Sequence, residues 1–213
     1  MTPLIIGGVE IAPGETKKIQ LERPPLYTAT RMSIPVHVQR GKRSGPVMFV
    51  SAAIHGDELN GIEIISRLLK SKSLANLRGT LIAVPMVNVY GVLNQSRYMP
   101  DRRDLNRSFP GSKKGSLAGI IADLFLQEIV SKCDVGIDLH TGAIHRSNLP
   151  QIRGNLDNAQ TLAMAEAFED QTAWPRLGDI NAPIERIELW PGAVLLARGV
   201  GTVQTAGRAG AWL

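Results

Sequence analysis

The chain has 213 residues, 44% of them hydrophobic and 20% charged, which suits one soluble globular core and is marginal for two. Its net charge is +5 but its basic residues are scattered, and aromatics make up only 5%, so a base-stacking nucleic-acid surface is excluded as the main function. No apolar run reaches membrane-spanning length, the N-terminus is a poor signal peptide, and the single cysteine, Cys133, can form no intrachain disulfide. The cytoplasm is the expected compartment, and Cys133 reads as a buried structural thiol.

Taken in chain order, residues 17–24 ("KKIQLERP") and 28–41 ("TATRMSIPVHVQRG") alternate apolar and polar side chains, the pattern of antiparallel strands at a sheet edge. Pro35 inside the second favours an edge or a bulge, and His37 reads as structural. Residues 45–54 ("GPVMFVSAAI") form a continuous apolar run, predicting a central strand buried on both faces. Leu59, Ile62, Ile65, Leu68 and Leu69 then recur at helical spacing, and residues 79–88 ("GTLIAVPMVN") predict the next buried strand. Strand, helix and strand in so short a span make a βαβ unit.

Residues 88–114 lack apolar periodicity and hold prolines, glycines and arginines, the mark of a long functional loop. A helix follows over 116–133, with Ser116 as its cap, then a third buried strand over 134–140 ("DVGIDLH") and another helix over 155–170. Residues 178–207 could hold two strands. The class is α/β, a mainly parallel central sheet flanked by helices.

The stretch "SAAIHGDELNG" carries the first functional signal. His55 and Glu58 sit where the strand over 45–54 gives way to a helix, and His140 ends the strand over 134–140. In such sheets, sites lie beyond the carboxyl ends of strands. Two imidazoles and one carboxylate form a catalytic zinc set with a position left open. The plainer reading makes His55 a loop histidine and Glu58 a first-turn helix acid. Asp138, two residues before His140, points to the same strand face and could support it or place a charge near a substrate.

Three motifs in this order, "AAIHGDELNG", "RYMPDRRDLNRSFPG" and "GIDLHTG", resemble the succinylglutamate desuccinylase/aspartoacylase family of the zinc carboxypeptidase superfamily, from about Pro46 to Phe168. The resemblance implies a zinc-carboxypeptidase-like fold and one Zn2+ per chain held by His55, Glu58 and His140. It implies that Asn106 and Arg107 bind a substrate carboxylate, chemistry that suits an arginine fork. Arg97 matches the arginine that polarises the scissile amide carbonyl. The spacing to "DLNR" is longer here by about two residues, so Arg102 or Arg103 are alternatives; otherwise they are solvated loop charges. His145 matches no ligand position and reads as loop surface or a substrate contact.

The implied activity is a zinc-dependent amidohydrolase acting on an N-acyl amino acid or similar small carboxylated amide. The general base of the family is a late glutamate, and the corresponding position here is Gln204, which cannot carry a proton; Glu185 and Glu188 are alternatives. Weak or lost catalysis in a zinc-binding ligand or regulatory module, and a carboxypeptidase acting on short peptides, therefore stand beside the deacylase. A single catalytic domain over 1–213 is expected, with a divergent tail after about residue 168 and without the family's C-terminal β domain. Neither nucleic acid nor membrane is an expected partner, and a homo-oligomer is compatible with the sequence.

Overall fold

The structure, a computed structural model, describes residues 3–22, 32–142, 152–153, 159–172, 187–188 and 194–199. It opens with a hairpin that the alternation pattern did not reveal, β1 (Leu4–Ile6) and β2 (Val9–Ile11). Gly7 and Gly8 make its turn with φ of +55° and +76°. Positive φ at both central residues is what a two-residue hairpin loop requires. The expected strands follow as β3 (Thr16–Glu22), β4 (Ser33–Arg40) and β5 (Arg43–Ala52). Helix α1 (Asn60–Leu69) and β6 (Arg78–Val84) complete the βαβ unit, with β5 and β6 parallel.

The loop expected over 88–114 contains a short helix, α2 (Val89–Asn94), and a 3-10 turn over Leu105–Arg107. Six residues are too few to display a helical period, and Asn88 caps the segment by accepting from Gly91 N–H. Helix α3 (Leu117–Glu128) begins at Ser116, whose hydroxyl accepts from Gly119 N–H as its cap. Strand β7 (Val135–His140) lies parallel to β5. Beyond it come β8 (Ile152–Arg153), α4 (Ala159–Thr172), β9 (Ile187–Glu188) and β10 (Val194–Gly199).

The sheet runs β3-β4-β6-β5-β7-β10-β8, with β9 on β10. It is mixed. The centre, β6-β5-β7, is parallel, and β3, β4 and β10 join it antiparallel. Strand β4 is internal at its C-terminal end, because the β6 ladder begins at His37. Pro35 precedes that ladder and faces a partner only in β3, so its missing N–H interrupts nothing on the β6 side.

Alternation along the central strands sorts the core into two layers. Phe49, Ile82 and Val84 face a cluster with Phe125 of α3, where Phe49 and Phe125 meet edge to face at 5.8 Å. Val50, Ala52, Leu81, Ala83, Ile137 and Leu139 face Ile65 of α1. Helices therefore cover both faces, which is why these strands are apolar without interruption. Leu59, expected on the apolar stripe of α1, stands just before the helix and is exposed. Cys133 is buried, and burial pushes its thiol pKa up to about 12, as expected for a structural cysteine. Among the described residues no helix is long and apolar enough to cross a membrane.

Candidate metal centre and active site

Strand β5 ends at Ala52, and Ala53 takes a left-handed φ of +53° although fully buried. A non-glycine residue there is strained unless its surroundings hold it. Two hydrogen bonds do so: Val87 N–H donates to Ala52 O at 3.1 Å and Asn88 N–H to Ala53 O at 2.9 Å. The chain leaving β6 thus clamps the chain leaving β5, and the kink turns His55 inward. Gly56 follows because no side chain fits: a Cβ there would lie 1.9 Å from the Gly91 carbonyl carbon of α2. Gly61 does the same for α1, since its Cβ would approach the Ala52 and Leu139 Cβ atoms at 2.6 and 2.9 Å. Two of the glycines in "HGDELNG" are explained by close approach.

His55, Glu58 and His140, all buried, each offer a ligand atom within 4.8 Å of the others. Glu58 does not start the helix; it precedes α1 and turns into the cluster. Its Oε1 lies 2.7 Å from His55 Nδ1, and its Oε2 lies 2.9 Å from His140 Nδ1 and accepts from Thr141 N–H at 2.9 Å. The far nitrogen of each imidazole also meets a carboxylate. His55 Nε2 is 3.1 Å from Asp104 Oδ1, and His140 Nε2 is 2.7 Å from Asp138 Oδ2. Each imidazole therefore lies between two carboxylates, and with its proton on Nε2, toward Asp104 or Asp138, its Nδ1 lone pair faces Glu58 and is open to an ion. Lone pairs this close to a carboxylate oxygen need a proton or a cation between them.

The charge balance points the same way. Glu58, Asp104 and Asp138 bring three negative charges, and Arg97 returns one positive charge, with Nη2 2.9 Å from Asp104 Oδ2 and Nη1 3.5 Å from Glu58 Oε1. With both imidazoles neutral, as metal ligation requires, the excess equals the charge of one divalent ion. Buried charge without a partner costs several kcal/mol, so nitrogen and oxygen donors in this arrangement fit such an ion. Burial opposes ionisation of Glu58, yet its bonds to His140 and His55 hold its carboxyl well below the usual range. Asp104 is held low too, against burial, by His55 and Arg97. Burial disfavours protonation of His140, but the Asp138 charge and hydrogen bond, with those of Glu58, raise its pKa to about 10. Ionised carboxylates that favour a positive charge on His140 favour a bound cation at the same place.

Arg97 reaches the cluster, while Arg102 and Arg103 stay exposed. The segment between Arg97 and "DLNR" folds into a closed turn, with Met99 N–H bonded to Arg103 O and Arg102 N–H to Met99 O. Asn106 follows Asp104 and donates its backbone N–H to Asp104 Oδ1 at 2.9 Å; Arg107 is exposed, its Nε 4.0 Å from Asp104 Oδ2. Sequence reasoning missed Asp104, whose only signal is its place in the charged run "DRRDLNR". Gln204, Glu185 and His145 lie outside the described residues, as does the Glu188 side chain.

The profile of the succinylglutamate desuccinylase/aspartoacylase catalytic domain matches residues 44–175, which hold every residue of this cluster. The chain belongs to the succinylglutamate desuccinylase/aspartoacylase family. Among curated members it is 40% identical, over 142 residues, to N-alpha-acetyl-L-2,4-diaminobutyric acid deacetylase of Halomonas elongata, covering 63% of this chain and 41% of that one. A succinylglutamate desuccinylase/aspartoacylase crystal structure from Rhodobacter sphaeroides superposes with a TM-score of 0.64 at 29% identity, over 72% of this chain and 49% of the other. The product-bound ectoine utilization protein EutE (DoeB) of Ruegeria pomeroyi gives 0.62 at 25%, over 79% and 53%. This family member thus spans about half the length of these relatives, or less.

Proposed function

We propose that the protein is a zinc-dependent amidohydrolase that removes the acyl group from an N-acyl amino acid or a similar small carboxylated amide. The observation that carries this reading is the orientation of the two histidines. Both Nδ1 atoms converge on Glu58 while both Nε2 atoms are tied to carboxylates. His55, Glu58 and His140 would hold the ion, and imidazole with carboxylate suits zinc. Zinc, when bound, supplies a Lewis acid that polarises a carbonyl and acidifies water.

The chain's own residues do the rest. Asp104 holds Arg97 by Nε and Nη2, at 3.2 and 2.9 Å, and so fixes a guanidinium beside the ligand atoms. There it stabilises negative charge developing on the amide oxygen. Arg107, exposed next to Asn106 and 4.0 Å from Asp104 Oδ2, would grip a carboxylate, with Asn106 adding a neutral hydrogen bond. The relative from Halomonas elongata, named as a deacetylase of an acetylated diamino acid, supports a small N-acyl amino acid as substrate.

Gln204 supports a second reading, in which the site binds zinc and a carboxylated ligand but turns over weakly. Glutamine cannot relay the proton that a general base moves, a contribution of about 10²–10⁴-fold. Amine release from a panel of N-acyl amino acids, including N-alpha-acetyl-L-2,4-diaminobutyrate, separates the two readings. Turnover abolished by a chelator and restored by zinc supports the hydrolase. A zinc-loaded protein that binds these compounds without turnover, and gains turnover in Gln204→Glu, supports the second.

A further inference from the structure

Ser51 opens the stretch "SAAIHGDELNG" without a role of its own in it, yet it is fully buried on the central strand beside the cluster. Strands β5 and β7 place it directly opposite Asp138. Its hydroxyl donates to Asp138 Oδ1 at 2.7 Å, while Asp138 Oδ2 accepts from His140 Nε2 at 2.7 Å. Its other near oxygen, Ile137 O, lies at the 3.5 Å limit. A hydroxyl buried in an otherwise apolar strand interior costs free energy unless it is satisfied, and this one is satisfied by the carboxylate.

The two histidines are therefore supported differently. Asp104, behind His55, is neutralised by the Arg97 guanidinium. Asp138, behind His140, is held by a neutral hydroxyl and carries no guanidinium among the described residues. One Ser51 bond also fixes the rotation of the carboxylate, since Oδ1 is tethered to β5 and only Oδ2 is left to meet Nε2.

We infer that Ser51 is a positioning residue that acts through Asp138 to hold His140 with its Nδ1 lone pair presented for the metal ion. The inference rests on the metal-hydrolase reading and is about this chain's ability to bind the ion.

Three variants of the full chain test it: Ser51→Ala removes the donor, Ser51→Cys keeps the volume with a weak donor, and Ser51→Thr keeps the hydroxyl. Zinc affinity is read by competition with a chromophoric chelator, the ligand field by the visible spectrum of the Co2+ form, and folding by thermal unfolding of the metal-free protein. Groups that touch a metal ligand contribute roughly 10–100-fold in affinity. One bond further out, Ser51→Ala and Ser51→Cys should lose about 3–10-fold and shift the Co2+ spectrum, and Ser51→Thr should stay within about twofold of the parent. Parent-like zinc affinity in Ser51→Ala and Ser51→Cys would overturn the inference, as would losses that follow the unfolding temperature rather than the hydroxyl. Failure of the parent protein itself to bind zinc would overturn the metal-hydrolase reading beneath it.

Discussion

Replacing Gly56 by alanine tests whether the close Gly56–Gly91 crossing, together with the hydrogen-bonded clamp at Ala52 and Ala53, places His55. The added Cβ would lie 1.9 Å from the Gly91 carbonyl carbon and 2.3 Å from both the Gly91 Cα and its carbonyl oxygen. Ordinary contact begins near 3.4 Å, so the two segments must separate by about 1.5 Å. No side chain can yield, because every clashing atom is backbone. Overpacking typically costs about 1–3 kcal/mol, and with no rotamer available the upper end, about 3 kcal/mol, is expected. For a domain of this size that lowers the unfolding temperature by roughly 6–12 °C. The same displacement carries His55, the preceding residue. Metal–ligand distances tolerate only about ±0.2 Å, so zinc affinity should fall by at least about 100-fold. Urea unfolding and chelator competition on Gly56→Ala measure both. A variant with parent stability and parent affinity would refute the claim that the Gly56–Gly91 crossing sets the ligand geometry.

Other perturbations have expected outcomes of different kinds. Asp104→Asn removes the charge that backs His55 and pairs with Arg97, and should lower zinc affinity by about 10–100-fold in the chelator assay. Arg97→Lys keeps a charge but loses the fork that Asp104 holds, so kcat for amine release should fall by about 100-fold while zinc content stays near the parent's. Glu128 ties the N-terminal hairpin to α3, accepting from Gly7 N–H at 2.8 Å and Lys132 at 2.6 Å, while Lys132 also donates to Ile5 O at 2.7 Å. Glu128→Gln should cost about 0.2–1 kcal/mol at neutral pH. Burial opposes ionisation of Glu128, but Lys132 and the Gly7 N–H hold its folded pKa below the ordinary 4.5. Its contribution is therefore present above pH 4.5 and lost as pH falls through the lower folded value, so parent and variant should converge in acid on urea unfolding.

Much of the site was legible because it lies at the ends of legible elements. Runs such as "MFVSAAI" and "VGIDLH" announce strands buried on both faces, and His55 and His140 stand where those runs stop. Arg97 is a candidate by its motif, and that it rather than Arg102 or Arg103 lies beside the cluster depends on the turn over Met99–Arg103. Helix α2 was not legible, since its six residues carry no period and owe their place to the Asn88 cap and the Gly56 crossing. The β1–β2 hairpin was missed because three-residue strands are too short for alternation to register, leaving only the Gly7-Gly8 turn as a signal.

By itself the sequence determined the α/β class, the βαβ core and the candidate ligands His55, Glu58 and His140, because periodicity and strand ends are local properties of the chain. Only the tertiary structure decided that Asp104 backs one histidine and that Ser51 holds Asp138, a candidate from its strand face, against the other. Those pairings join residues as far as 87 positions apart, through the parallel register of β5 and β7 and the fold of the loop after α2. Hydrogen bonds of this kind depend on where strands lie side by side, which no single stretch of residues encodes.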